Sequence, residues 1–504
     1  MTERLVIIGD TLLDRDVDGT VRRICPDAPA PVLDEESGTD RPGGAGLAAL
    51  LASRQGYDVA LVTALADDAG GARLSELLAA AGVRLYPLAL PGATPEKIRL
   101  RARGQVLLRL DRGGAEPQPP GEASDAALAV LNDAAAILVS DYGRGMARHP
   151  ALRAALARAS ALVVWDPHPR GPAPVPGIRL ATPNEAEVRH LTGTGGGSAR
   201  LSAANRGAQE LRQRWRAGAV AVTLGADGAL LCHGGSTPLV VPVAEPVDGD
   251  TCGAGDRFAV AAALALAGGA LVSEAVQEAV RQAGDYVAAG GVATVLRQLA
   301  EAADAPRPRS GVGAQPPDAA GDGPPPRQIG ARAAGRLLAQ VRARGGTVVA
   351  TGGCFDLLHA GHLATLQAAR RLGDCLVVCL NSDASVAGLK GPDRPLTPQL
   401  DRARLLSALD CVDAVVIFDE PTPQAVLSWL RPDIWVKGGD YAGDGPELPE
   451  ADLVRRWGGQ TVIVPYLDGR STTSMIAAAR AGGARRGPVS RGHPPRSPQP
   501  EGAA

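Results

Sequence analysis

Between residues 301 and about 330 the chain reads EAADAPRPRSGVGAQPPDAAGDGPPPRQIG, a stretch of Pro, Gly and Ala with no apolar periodicity. Such a segment buries too little apolar surface to join a core, so it divides the 504 residues into two blocks, each long enough for a core of its own. The blocks run over 1–300 and 331–486, joined by a linker at 301–330. Residues 487–504, again rich in Pro and Gly, read as a disordered tail.

Both blocks carry the same alternation. In the first, LVIIGD (5–10), AAILVSD (135–141), ALVVWD (161–166) and AVAVTLG (219–225) alternate with segments of helical period such as ALRAALARASA. Short apolar strands between helices imply a parallel sheet covered on both faces, the α/β class. The segment TPEKIRLRARGQVLLRLD is too polar on one face for a central sheet and reads as a hairpin, with residues 14–33 a partner for it in a small β lid. The second block offers five strands, TVVATGG, CLVVCLN, DAVVIF, DIWVKGG and TVIVPY, in about 155 residues, a compact Rossmann-like domain.

Composition narrows the function classes. The 52 basic and 54 acidic side chains nearly cancel, which argues against nucleic acid as a partner. No apolar run reaches the ~18 residues of a membrane span and the N-terminus lacks a secretory apolar region, so a cytoplasmic protein is expected. The seven cysteines form no CxxC pair and mostly sit in apolar runs, as reduced core thiols do. Arg supplies nearly all the basic charge, and the three lysines, Lys97, Lys390 and Lys437, stand out as places for a compact ammonium.

Three strands of the first block end in aspartate, at Asp10, Asp141 and Asp166, where ligands of open α/β sheets bind and where an Asp equally caps the next helix. In DGDTCGAGDRFAVAAALALA the small residues Gly253, Ala254 and Gly255 let backbone amides approach an anion at a helix N-terminus, with Asp256 as a general base beside them. RPGGAG supplies a second glycine pair, Gly43 and Gly44. TPNEAE sets Asn184 and Glu187 one helical turn apart, fit for hydrated Mg²⁺, and TLGADG follows another strand. In the second block, TGGCFDLLHAGHLATLQAAR delivers His359 and His362 to a helix start, where two imidazoles can donate to a phosphate.

The ordered set GD, RPGGAG, SDYGRG, TPNEAE, VTLGADG and DTCGAGD resembles the ribokinase, or PfkB-type, sugar kinases over residues 1 to about 300. That resemblance implies ATP-dependent phosphorylation of a sugar hydroxyl with Asp256 as base. It implies ATP at Asn184, Glu187, Thr223, Gly225, Gly253, Ala254 and Gly255, with Mg²⁺ organised by Asn184 and Glu187. The sugar phosphate would meet Asp10, Asp14, Gly43, Gly44, Asp141, and Lys97 with Arg99 or Arg101. Departures from the family pattern are Leu47, where Asn often reaches the sugar, His168 and Cys252. Residues 345 to about 480 resemble the nucleotidyltransferases related to cytidylyltransferases, which implies adenylyl or cytidylyl transfer without a covalent intermediate. Phosphates would be held by His359, His362 and Lys390, ATP by Phe355, Arg402, Ser471, Thr472 and Thr473, and the sugar phosphate or the triphosphate by Lys437. Gly352 departs there, where Asn often stands.

The two halves in one chain resemble the bifunctional family that phosphorylates D-glycero-β-D-manno-heptose 7-phosphate and adenylylates the 1-phosphate. The resemblance implies ATP as substrate at both sites, Mg²⁺, and a homodimer paired through the lid. A kinase and transferase pair for another sugar phosphate, or a sensor that binds without turnover, are the alternatives.

Overall fold

The computed structural model describes residues 4–113, 118–193, 200–244, 249–294, 328–439 and 449–465. The first block contains β1 (Arg4–Gly9), β2 (Thr11–Ile24), β3 (Pro31–Gly44), β4 (Asp58–Leu65), β5 (Arg84–Ala89), β6 (Glu96–Ala102) and β7 (Gln105–Arg112), followed by β8 (Ala136–Ser140), β9 (Leu162–Asp166), β10 (Leu180–Ala181), β11 (Ala219–Thr223), β12 (Ala229–Cys232) and β13 (Leu239–Val241). Its main sheet has the order β13-β12-β11-β10-β9-β8-β1-β4-β5. Pairing is parallel from β11 to β5, while β12 and β13 are added antiparallel.

The strand sequences show why both faces are covered. Val6 and Ile8 of β1 enter one apolar cluster with Ile137 and Val139 of β8, while Leu5 and Ile7 enter the other with Ala136 and Leu138. With period-two side chains, only a strand apolar at every position can fill two cores, and that is what LVIIG and AILVS provide.

A separate four-stranded sheet, β3-β2-β6-β7, forms the expected lid. Its register sets Asp14 of β2 between Arg41 of β3 and Lys97 of β6. Asp14 and Asp16 then face Arg41, Arg99 and Arg101 in a ladder of ion pairs, with Arg41 Nη1 2.5 Å from Asp16 and Arg99 Nη1 3.2 Å from Asp14.

The second block contains β14 (Gln328–Ile329), β15 (Val348–Gly353), β16 (Cys375–Asn381), β17 (Ala414–Phe418), β18 (Ile434–Gly438) and β19 (Gln460–Val464) in the order β14-β17-β16-β15-β18-β19, all parallel. The five strands expected there all form; the short β14 is an addition at the edge. Cys375 and Cys379 are buried core thiols on one face of β16, in keeping with reduced cysteines.

One feature is absent from any local sequence pattern. β13 lies parallel to β19 through the pair Leu239 and Ile463, with Ile463 N donating to Pro238 O at 3.0 Å, so the strands of the two blocks join edge to edge into one 15-stranded sheet. Arg371 donates to the carbonyls of Val243 and Ala244, and Arg455 to Ser236 Oγ at 3.0 Å. Of the linker, only 328–330 are described. Among the described residues no helix is long and apolar enough to cross a membrane.

Candidate active sites

In the first block the site is built at one helix start. Gly253 takes φ of 82°, a conformation L side chains rarely adopt, and a Cβ there would stand 2.8 Å from both Leu47 Cδ2 and Tyr286 Oη. The turn ends in the helix Ala254–Ala267, whose first turn carries Asp256. Leu47 therefore packs beneath the glycine turn with Leu50, Leu51 and Tyr286 instead of reaching a sugar, which accounts for that departure.

Asp256 is buried, and burial raises its carboxyl to about 7 against the opposing effects of Tyr142 and Lys97. Tyr142 Oη lies 2.9 Å from each carboxylate oxygen, a contact spanning 114 residues. Lys97 Nζ stands 5.7 Å from the centre of the Tyr142 ring, and burial lowers its own pKa. Within SDYGRG nothing in the sequence marks Tyr142 for this role.

On the other side of the same helix start lies a cleft of about 600 Å³ lined by Asn184, Thr223, Gly225, Ala254, Gly255 and Phe258, among others. Four of the expected ATP residues thus meet there with Asn184. Asn184 and Glu187, however, are bonded to each other as a capping box of the helix Glu185–Thr192: Glu187 N donates to Asn184 Oδ1 at 2.9 Å, and Asn184 N to Glu187 Oε2 at 2.8 Å. Burial lifts the Glu187 carboxyl to about 7, and burial, then Glu187 and Asp256, push Asp166 well above the carboxylate range. Among the described residues no three metal-ligating side chains cluster. Two mutually repelling carboxylates beside a nucleotide-sized cleft nevertheless fit Mg²⁺, which keeps most of its waters and needs one or two protein carboxylates.

The expected sugar residues divide. Asp14, Lys97 and Arg99 lie together in the lid, and Gly43 packs against Asp14, where a Cβ would come 2.8 Å from Oδ2. Asp10 differs from its expected role: its carboxylate accepts the amides of Tyr142, Arg144 and Met146 at 3.1, 2.9 and 3.0 Å, so it pins the 142–146 loop. It still borders a cavity of about 250 Å³ with Thr11, Pro95 and Arg144. Asp141 is buried under that loop, accepting from Gly143 N at 2.7 Å and raised to about 7 chiefly by burial. His168 supports the loop from beneath, accepting from Arg170 N at 3.1 Å.

In the second block, a cavity of about 200 Å³ is lined by Gly353, Phe355, Asp356, His362, Lys390 and Gly438, among others. His359 caps the helix Ala360–Arg371 by accepting Gly361 N on Nδ1 at 3.1 Å, which leaves the proton of the neutral ring on Nε2. The two imidazoles stack with centroids 3.9 Å apart. Burial, then His359, push His362 down to about 4, so it is neutral at physiological pH. Gly352 packs against Trp435: a Cβ would come 2.6 Å from its ring, which explains why the Asn of related chains is absent.

Arg402 is the clearest correction. Expected at ATP, it is 1% exposed and donates to Thr397 O, Cys354 O, Asn381 O and Asp383. It braces the loop that carries Phe355. Lys437 pairs with Glu450 at 3.2 Å and lies over Trp435, one residue before the Gly438 of the cavity wall. Ser471, Thr472 and Thr473 lie outside the described residues.

Residues 2–298 match the pfkB family of carbohydrate kinases, and residues 350–462 match the cytidylyltransferase-like family. The Bifunctional protein HldE of Streptomyces coelicolor is 53% identical over 95% of this chain and 97% of its own length. The chain belongs to the HldE family. Its members from Halorhodospira halophila and Azorhizobium caulinodans are 39% and 36% identical over 95% and 94% of this chain, each with 98% of its own length covered. Like them it is bifunctional: a heptose kinase joined to an adenylyltransferase of ADP-heptose biosynthesis, using ATP.

Proposed function

We propose that the first domain, residues 1–300, transfers the γ-phosphoryl of ATP to O1 of D-glycero-β-D-manno-heptose 7-phosphate, and that the second, 331–486, joins heptose 1-phosphate to the adenylyl group of ATP with release of pyrophosphate. A separate phosphatase acts between them. The observation that carries the first reading is the position of Asp256, between Tyr142 of the loop after β8 and Lys97 of the lid on one side and the cleft lined by Ala254 and Gly255 on the other. A base there takes the proton of the attacking hydroxyl while the first-turn amides receive the charge on the moving phosphoryl group. Asp166 and Glu187, near Asn184, would hold Mg²⁺, which would offset triphosphate charge.

In the second site His359 and the neutral His362 donate to the α-phosphate as it gains charge, and Lys390 meets the outer phosphates. Lys437, already near Gly438, takes the sugar phosphate or the triphosphate. Fed separately, heptose 7-phosphate should yield ADP and no pyrophosphate, and heptose 1-phosphate should yield pyrophosphate; pyrophosphate from the 7-phosphate would overturn the assignment.

Lys97 and Arg99 are proposed to hold the sugar's distal phosphate. The Lys97→Ala chain should show a KM for heptose 7-phosphate raised by roughly tenfold or more, the loss of one charged contact, with the KM for ATP nearly unchanged. An unaltered sugar KM would return Lys97 to a purely structural place in the lid.

The two steps should also differ in pH response. Because a base works only when ionised and Asp256 sits at about 7, kcat/KM of the kinase step should fall as pH drops through about 7. Adenylyl transfer should lack that limb, since His362 is not protonated until about 4. Parallel profiles for the two reactions would contradict this.

The same proposal includes a cytoplasmic homodimer. Every residue of β7 is exposed, and Leu108 and Leu110, at 57 and 44%, share one face of this edge strand. Such an edge is a ready surface for a second copy.

A further inference from the structure

Tyr142 is not part of any phosphate or nucleotide contact described above, yet its surroundings are built around it. It follows β8 on the loop whose amides at 142, 144 and 146 are pinned by the Asp10 carboxylate. Its ring is packed on Gly44, which has φ of 63° and where a Cβ would come 3.3 Å from Tyr142 Cδ2. Lys97 lies over the ring from the lid. Ring and loop together aim the phenol at Asp256, whose two oxygens it meets at 2.9 Å each.

We infer that Tyr142 is a positioning residue for the kinase base: its hydroxyl fixes the plane of the Asp256 carboxylate and holds it in the ionised form that can accept the sugar's proton. This rests on Asp256 being the base. The phenol has one proton to share between two oxygens, so it restrains the rotation of the carboxyl group about its last bond. It also stabilises the charged form, because a hydrogen bond to a buried carboxylate is made in a medium where water cannot replace it.

The other groups that face Asp256 cannot take over. Lys97 of β6 favours the carboxylate by charge alone, from the far side of the Tyr142 ring. Asp14 of β2 opposes ionisation, while Asp166 at the end of β9 is itself pushed toward its neutral form, by burial first and then by Glu187 and Asp256. Cys252 and Tyr286 lie nearby, and Tyr286 donates to Cys252 O at 2.8 Å. Among the described residues Tyr142 is the side chain that hydrogen-bonds Asp256.

The test is the pH dependence of kinase kcat/KM in Tyr142→Phe, with adenylyl transfer measured on the same full-length sample as a report on folding. Phe keeps the ring that fills the space between Gly44 and Lys97 and deletes only the hydroxyl. The acid limb should move up by about one unit, giving roughly tenfold less activity below the limb and convergence toward the unmodified protein well above it. The KM for ATP should not change. A limb with the same midpoint, whether the rate falls equally at all pH values or not at all, overturns the inference. Asp256→Asn, measured alongside, separates the two claims: if that variant keeps its kinase rate, the base itself is misassigned, and if it is inactive while Tyr142→Phe keeps the midpoint, only the role of Tyr142 fails.

Discussion

Replacing Asp256 by Asn should abolish heptose phosphorylation while adenylyl transfer continues at its original rate. A general base contributes typically 10² to 10⁴-fold, and Asn has the same shape but cannot accept the proton. Burial makes the substitution informative and not disruptive: the folded protein already raises the carboxyl to about 7, so a neutral amide is tolerated at this position. Tyr142 Oη can still donate to the Asn oxygen, which preserves the contact. ADP release with heptose 7-phosphate is the readout for one half and pyrophosphate release with heptose 1-phosphate for the other. Equal loss of both would mean that the halves act as one site.

Replacing His362 by Ala should lower kcat for ADP-heptose formation by ~10² to 10³, the usual cost of losing one donor matched to a developing charge, with only a modest change in ATP affinity. The neutral ring is an advantage here. With its pKa pushed down to about 4 the ring is already neutral imidazole, whose one remaining N–H is too weak an acid to be lost as it donates, and its stacking on His359, itself fixed by Gly361 N, orients the pair as a unit. A variant that binds ATP poorly but keeps its kcat would place His362 in ground-state binding.

Much of this architecture is legible in the sequence because its signals are local. The five strands of the second domain stand out as apolar runs, and helix starts at Gly253 and His359 are marked by glycines and caps within a few residues. What a linear reading does not reach are the contacts between distant segments. Tyr142 meets Asp256 across 114 positions, and nothing in SDYGRG says which carboxylate its phenol faces. Asn184 and Glu187 are spaced for a shared ligand, but the same spacing is that of a capping box, and the backbone amides at the helix start engage them first. Arg402 illustrates the same competition: a guanidinium with five donors, buried among carbonyls, satisfies them before it can serve a nucleotide. Asp10 does so with an acceptor, pinning a loop where a sugar contact was expected.

The seam between β13 and β19 bears on the separation of the two activities. Among the described residues one strand pair, apolar packing that includes Ile463 and a few arginine contacts join the domains, while the helix start at Gly253 and the stacked histidines lie in different halves of the continuous sheet. Two independent sites with a freely diffusing intermediate follow from that arrangement. The direct measurement is complementation in solution: Asp256→Asn protein and His362→Ala protein, each supplied with ATP, Mg²⁺, heptose 7-phosphate and a phosphatase specific for the 7-position, alone and mixed. Neither alone should make ADP-heptose at more than a trace, and the mixture should restore it to near the rate set by the concentration of each intact site. A mixture as inactive as its components, with the unmodified protein active under the same conditions, would contradict two separable active sites.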